Sequence, residues 1–259
     1  SHYYKKFNMS IKDKIIVALD VESCDRALSL VEKLSSHANF FKIGLGLIGK
    51  GGLELASEIK KRGHRVFLDL KLFDISNTIE AAVSGLSEAK FDFLTVQGDP
   101  HVIKAAVKGR GSSSTKILAV TFLTSLDRGD LDQNLIKPGK IQSLSTTRAE
   151  KAILAGADGV IASPMELQLI RKNPICSRKI VVTPGIRPRN SAVNDQKRVA
   201  TPSEALRLGA SYLVVGRPIC HAKDPLVAFR EIEREISSHH QTYSAIRYQA
   251  KHYSITTFK

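Results

Sequence analysis

The chain has 259 residues, of which 42% are hydrophobic and 25% charged, with a formal net charge of +14. Those fractions are ordinary for a globular protein with a substantial core, and the length suits one large barrel or two small domains. No apolar run approaches the ~20 residues of a membrane span, and the opening SHYYKKFNMS is polar and basic, without the apolar stretch of a secretory leader.

The positive charge invites a nucleic-acid reading, but its distribution argues against one. Lys5, Lys6, Lys12 and Lys14 face only Asp13 at the start, and Arg247, Lys251 and Lys259 have no acid near them at the end. The rest is spread over helix faces such as Lys60, Lys61 and Arg62. An anionic small molecule needs only a few of these cations, so neither nucleic acid nor membrane is expected as a partner. Cys24, Cys176 and Cys220 are odd in number, widely spaced and form no CxxC. They predict a reducing, cytoplasmic setting and no metal or redox site.

In chain order, residues 1–11 read as a lead-in or an appended remnant, 12–236 as the folded unit and 237–259 as a Ser-, His- and Tyr-rich tail. Eight β-branched, apolar runs follow one another: Ile15–Asp20, Phe40–Gly44, Arg65–Lys71, Phe91–Gly98, Lys116–Leu123, Asp158–Ser163, Lys179–Ile186 and Tyr212–Ile219. Near-continuous apolar character marks parallel strands buried on both faces. Between them lie helical stripes, such as Ala27, Leu28, Leu30, Val31 and Leu34, then Ile79, Ala82, Val83 and Leu86, then Ala152, Ile153, Leu154 and Ala157. Ser23, Ser76 and Thr201-Pro202 are expected caps, and Gly63, Gly156 and Gly209 expected stops. Eight βα units without a break in composition predict a single (β/α)8 TIM barrel, an α/β fold. Residues 124–146 and 187–201 read as long loops on the face where barrel enzymes hold their sites.

Polar residues at the C-terminal ends of barrel strands carry the functional information. Asp20 ends the first strand, Lys42 lies on the second, and Asp69 and Lys71 lie on the third, with Asp74 just beyond. Alternation puts Asp69 and Lys71 on one face. One such residue is commonly a solvated strand end, but several on adjacent strands at matching height predict a paired network in which Lys42, Asp69, Lys71 and Asp74 alternate in sign. The seventh run ends Thr183-Pro184-Gly185-Ile186-Arg187-Pro188 and the eighth Val215-Gly216-Arg217-Pro218. Loops after strands seven and eight are the usual phosphate site of this architecture, and Gly amides with Arg forks suit it.

Gly44-Leu45-Gly46-Leu47-Ile48-Gly49 matches GxGxxG, with Asp69 at dinucleotide-fingerprint spacing beyond it. It sits on the second βα unit rather than the first, and a barrel offers no switch point for a dinucleotide. His37, His64, His101 and His221 are scattered, and neither an HxxxH pair nor a GxSxG elbow occurs. No metal site and no cofactor are expected.

The segment Asp69-Leu70-Lys71-Leu72-Phe73-Asp74-Ile75-Ser76-Asn77-Thr78 resembles the DxKxxDI(P/S)NT signature of orotidine 5'-phosphate decarboxylases. VALD at 17–20, FKIG at 41–44, LTS at 123–125, TPGIRP at 183–188, DQKRVATP at 195–202 and VVGRPI at 214–219 also resemble that family, in its order. The resemblance covers about residues 12–236. It implies decarboxylation of orotidine 5'-phosphate to UMP, free of metal and cofactor. It implies Lys71 as proton donor to C6, Asp69 beside the substrate carboxylate, and Lys42 holding Asp69 and reaching the ribose. Asp20 would bind a ribose hydroxyl, Thr124 the pyrimidine, and Gln196 would bridge base and phosphate as a lid. Arg187, the Gly216 amide and Arg217 would hold the phosphate. Asp74 and Thr78 would complete the neighbouring subunit's site in a homodimer. Ser76 replaces the commoner Pro, and the 237–259 tail has no counterpart. Sugar-phosphate decarboxylases and epimerases of the same barrel group also use a DxK strand, but generally with magnesium.

Overall fold

The structure, a computed structural model, describes residues 9–189 and 199–238. Its eight strands are β1 (Ile15–Ala18), β2 (Phe40–Gly44), β3 (Arg65–Leu72), β4 (Phe93–Gln97), β5 (Lys116–Val120), β6 (Gly159–Ile161), β7 (Ile180–Thr183) and β8 (Tyr212–Val215). Each pairs in parallel with its sequence neighbours and β8 closes on β1, giving a closed (β/α)8 barrel. Every predicted strand is present, and most stop two to four residues earlier than their apolar runs. The extra residues stay buried past the regular ladder with isolated bonds of their own: the Leu19 amide donates to Lys42 O at 2.9 Å, and Ile186 forms a lone bridge with Ala200.

Helices α1 (Cys24–Leu34), α3 (Gly52–Lys61), α4 (Ser76–Ser87), α5 (Pro100–Arg110), α7 (Ile141–Leu154), α8 (Leu167–Lys172) and α9 (Pro202–Leu208) follow their strands, and residues 225–238 add a final helix. Short helices α2 (Leu45–Ile48), α6 (Arg128–Gln133) and α10 (Arg217–Cys220) lie in the loops after β2, β5 and β8. The α1 stripe buries Ala27, Leu30, Val31 and Leu34 as its periodicity requires, and Ser23 caps it by accepting from the Arg26 amide. Each large aliphatic side chain so buried contributes roughly 1.5–3 kcal/mol. Thr201 caps α9, and Gly209 stops it at φ 115°.

Three expectations change. Ile75, not Ser76, occupies the cap position of α4, and Ser76 is its first helical residue. The loop expected over 124–146 contains α6, nucleated by a capping box between Asp127 and Asp130, and α7 already starts at Ile141. The last helix runs through residue 238, so the expected boundary at 237 falls inside it.

Two cores are separated by the strand wall. Odd-numbered residues of β1, such as Ile15 and Val17, face the helices, whereas Ile16 and Ala18 face the barrel interior. The inner core is aromatic at the N-terminal end. Phe40, Phe93 and Tyr212 have ring centroids 5.1–5.8 Å apart, and the Arg65 guanidinium lies 4.1 Å over Phe40. This plug fills the bottom of the barrel and leaves the C-terminal mouth open. No described helix is long and apolar enough to cross a membrane.

Candidate active site

Period-two alternation carries the charged groups up the inner wall. Ala18, Phe40, Phe67 and Phe93 belong to the interior. Two residues further along these same chains stand Asp20, Lys42, Asp69 and Thr95. Lys42 Nζ lies 3.0 Å from Asp69 Oδ2 and 3.7 Å from Asp20 Oδ1. Lys71 Nζ lies 2.8 Å from Asp69 Oδ1. The row therefore alternates carboxylate, ammonium, carboxylate, ammonium, with Asp20 at one end and Lys71 at the other.

Lys71 reaches Asp69 by a route that alternation alone does not describe. Between the pairs Leu68–Leu94 and Leu72–Val96, three residues of β3 stand opposite one of β4. Lys71 itself has φ 49°, in the left-handed region that side chains rarely adopt. The bulge turns its ammonium back onto the carboxylate two residues earlier.

Burial by itself opposes charge on Asp69, but Lys42 and then Lys71 outweigh it and hold the carboxyl at about 2, against an ordinary 3.8. Burial likewise opposes charge on Lys42, yet Asp69 and then Asp20 raise its value above the ordinary one. Two buried charges survive here because each faces its opposite. Burial, with Asp20 adding to it, pushes the Cys220 thiol up to about 12, and burial pushes Cys176 up to about 11, so neither is a thiolate near neutrality.

The row borders a cavity of about 490 Å³ at the mouth, within the range of small-molecule sites. Its floor is Ala18, Phe67, Val120, Ile161, Val182 and Val214. Asp20, Lys42, Asp69, Lys71, Thr124, Arg187, Gly216 and Arg217 all line it. Arg187 stands where the β7 loop leaves the barrel. A bridge between Ile186 and Ala200 pins the base of that loop, and the Arg187 amide donates to Ala200 O at 2.9 Å. A side chain at Gly216 would stand 3.4 Å from Ala18 Cβ and 3.9 Å from Asp20 Oδ2, so the backbone there passes close to the first strand.

Asp74 and Thr78 are exposed and do not border this cavity, so within one chain the expected quartet lacks Asp74 and gains Asp20 instead. Gln196 and most of the loop expected over 187–201 lie outside the described residues. Among the described residues, no group of three or more His, Cys, Asp or Glu is placed to hold a metal ion. The GxGxxG match resolves into barrel packing. A Cβ at Gly44 would come 3.3 Å from Asp20 Oδ1 and 3.6 Å from Lys42 Nζ, and the helix behind it has only four residues.

Sequence reasoning missed Ser125, His221 and Thr95. Ser125 and His221 line the cavity. Thr95, fully buried on β4, donates from Oγ1 to Asp69 Oδ1 at 2.8 Å and accepts from the Lys71 amide at 3.1 Å. Counting two residues on from the inward Phe93 places it on the inner wall, but not its bonds to β3, which depend on the bulge.

A closed parallel barrel that presents an alternating ammonium and carboxylate row and two loop arginines to one cavity defines a (β/α)8-barrel enzyme. A profile of the family described as Orotidine 5'-phosphate decarboxylase / HUMPS matches residues 13–232. The chain belongs to that family. It is 54% identical over 231 residues to the orotidine 5'-phosphate decarboxylase of Ruegeria pomeroyi, covering 89% of this chain and 96% of the relative. It is 53% identical over 225 residues to that of Jannaschia sp., covering 86% and 98%. The crystal structure of orotidine 5'-phosphate decarboxylase from Lactobacillus acidophilus superposes with a TM-score of 0.75 at 34% identity, covering 86% of this chain and 99% of that one.

Proposed function

We propose that the protein decarboxylates orotidine 5'-phosphate to UMP in pyrimidine biosynthesis, without metal or organic cofactor, in the cytoplasm. The observation that carries this reading is the Lys42–Asp69–Lys71 row facing the same cavity as Arg187 and Arg217. A reducing compartment suits the three free thiols.

In the proposed mechanism, the bond from C6 to the carboxylate breaks, carbon dioxide leaves, and the electron pair stays on C6. Lys71 faces that developing charge with its ammonium and then gives C6 a proton, to be replaced from water. Asp69 opposes the substrate carboxylate. A pair of unit charges near 4 Å interacts by about 4 kcal/mol at an effective dielectric of ~20. Charged hydrogen bonds to the phosphate contribute roughly 1.5–3 kcal/mol each, so three or four outweigh that repulsion. Binding energy far from C6 then lowers the barrier at C6. Arg187, Arg217 and the Gly216 amide hold the phosphate, Asp20 and Lys42 the ribose, Thr124 the pyrimidine, and Gln196 acts from the β7 loop.

Asp74 and Thr78 are assigned to the partner's site in a homodimer. In support, both are exposed, and Phe73 and Ile75 beside Asp74 are 64% and 69% exposed, an apolar pair suited to burial against a second copy. The test of the whole reading is the loss of pyrimidine absorbance when orotidine 5'-phosphate is added to EDTA-treated protein. Rapid conversion to UMP is expected. Turnover that appears only with added magnesium, or none at all, overturns the reading.

A further inference from the structure

β4 is apolar along its length except at Thr95 and its last residue, Gln97. Thr95 is fully buried, on the inward face between the aromatic plug and the cavity. Its hydroxyl has one proton and free lone pairs. The proton goes to Asp69 Oδ1 at 2.8 Å, and a lone pair accepts the Lys71 amide at 3.1 Å. Asp69 and Lys71 are the first and third of the three β3 residues that stand opposite Thr95 alone. In a regular ladder a β4 backbone carbonyl would take the Lys71 amide; at this bulge a side chain takes it.

From this geometry we infer that Thr95 is a positioning residue for the reaction, the clamp that holds the β3 bulge shut and so aims the Lys71 ammonium and the Asp69 carboxylate into the cavity. The inference rests on the proposed decarboxylation and deepens it. One hydroxyl fixes both ends of the irregular segment, the carboxylate of Asp69 and the backbone of Lys71. The left-handed backbone at Lys71, with φ 49°, has to be held by its surroundings, and the Thr95 bond is the described contact that does so. The clamp also has a role during turnover. Asp69 Oδ1 receives both Lys71 Nζ and Thr95 Oγ1. When Lys71 turns from Asp69 to protonate carbon, Thr95 still donates to that oxygen, so the carboxylate stays hydrogen-bonded and in place.

Thr95→Val keeps the shape and removes the hydroxyl. Thr95→Ser keeps the hydroxyl and removes a methyl group. Thr95→Cys keeps a weak donor of similar size, and serves where Thr95→Val does not fold. Steady-state decarboxylation and UMP affinity are measured on each full-length protein beside the wild type. Thr95→Val is expected to lose about 100-fold in kcat, the scale of a misplacement near 1 Å, with UMP affinity and KM little changed. Thr95→Ser is expected to recover most of kcat, and Thr95→Cys to fall between. A space-filling role predicts the reverse ordering, because Thr95→Val packs best and Thr95→Ser leaves a gap, and a role in stability alone lowers the urea midpoint of Thr95→Val while leaving the kcat of its folded fraction near wild type. Thr95→Val or Thr95→Cys as active as the wild type overturns the inference, as does a Thr95→Ser defect equal to theirs. A wild type that leaves orotidine 5'-phosphate unconverted overturns the proposed function, and this inference with it.

Discussion

Lys42 and Asp69 stand 3.0 Å apart on neighbouring strands of the barrel, 7% and 8% exposed, so each is the other's substitute for water. Removing either leaves the other a buried charge short of its most buried opposite, with Lys71 and Thr95 remaining on Asp69 Oδ1, or Asp20 at 3.7 Å from Lys42. Lys42→Met takes away the only partner on Asp69 Oδ2 whose distance lies within hydrogen-bond range among the described residues. The expected cost is about 3–5 kcal/mol of unfolding free energy, read from urea denaturation. A loss below about 1 kcal/mol would mean that the pair behaves like a solvated surface bridge.

The same pair sets an acid limit on stability. The folded Asp69 carboxyl is held at about 2, against an ordinary 3.8. A depressed value stabilises the fold where the unfolded carboxyl is also ionised, above about pH 4, by about 2 kcal/mol, and that contribution is lost as pH falls towards about 2. The raised Lys42 value acts in the opposite direction, with stability lost only as pH climbs through it in the alkaline range. The stability gap between wild type and Asp69→Asn is therefore expected to stay constant from about pH 8 to about pH 5 and to narrow below about pH 4. A gap that does not change down to about pH 3 would contradict the depressed value.

Arg217 lines the cavity from the start of α10. Arg217→Ala is expected to cut kcat/KM on the phosphorylated substrate by roughly 10- to 100-fold, the equivalent of about 1.5–3 kcal/mol of charged hydrogen bonding. The same change should leave the slow reaction of orotidine, which lacks the phosphate, nearly unaltered. Equal losses on both substrates would remove the phosphate handle from the account.

Asp74 is exposed and Lys71 borders the chain's own cavity. If each site takes Asp74 from a partner, Asp74→Ala and Lys71→Ala proteins are each inactive, and mixing them rebuilds native sites in heterodimers. Equal mixing with free exchange gives roughly a quarter of the native sites. Activity that stays at the level of the separate variants would place Asp74 in its own chain's chemistry or outside the site.

The barrel was legible because its signals are local and repeated. Runs such as Phe40–Gly44 and Arg65–Lys71 are apolar on both faces, and glycines such as Gly209 stop helices where φ must be positive. Lys42, Asp69 and Arg217 were legible because a charge in an apolar run has to be explained. Thr95 was not, because a threonine fits any strand and its meaning comes from a bulge on the neighbouring strand. That bulge is itself a tertiary feature: nothing in Asp69-Leu70-Lys71 marks the left-handed turn at Lys71. α6 was hidden for another reason. Its Asp127–Asp130 capping box sits among Gly and Asp residues that also read as a loop. Asp74 stands outside this chain's cavity, and alternation within one chain carries no signal for a role in a second one.

Lys71→Ala tests the centre of the account most directly. Its initial rate on orotidine 5'-phosphate is compared with wild type, and its affinity for UMP is titrated on the same preparation. The account predicts no detectable turnover with UMP still bound, since the floor, the Arg187 and Arg217 end and the Lys42–Asp69 pair all remain. Turnover near the wild-type rate would show that another group protonates the carbon, and the role given to Lys71 would fail.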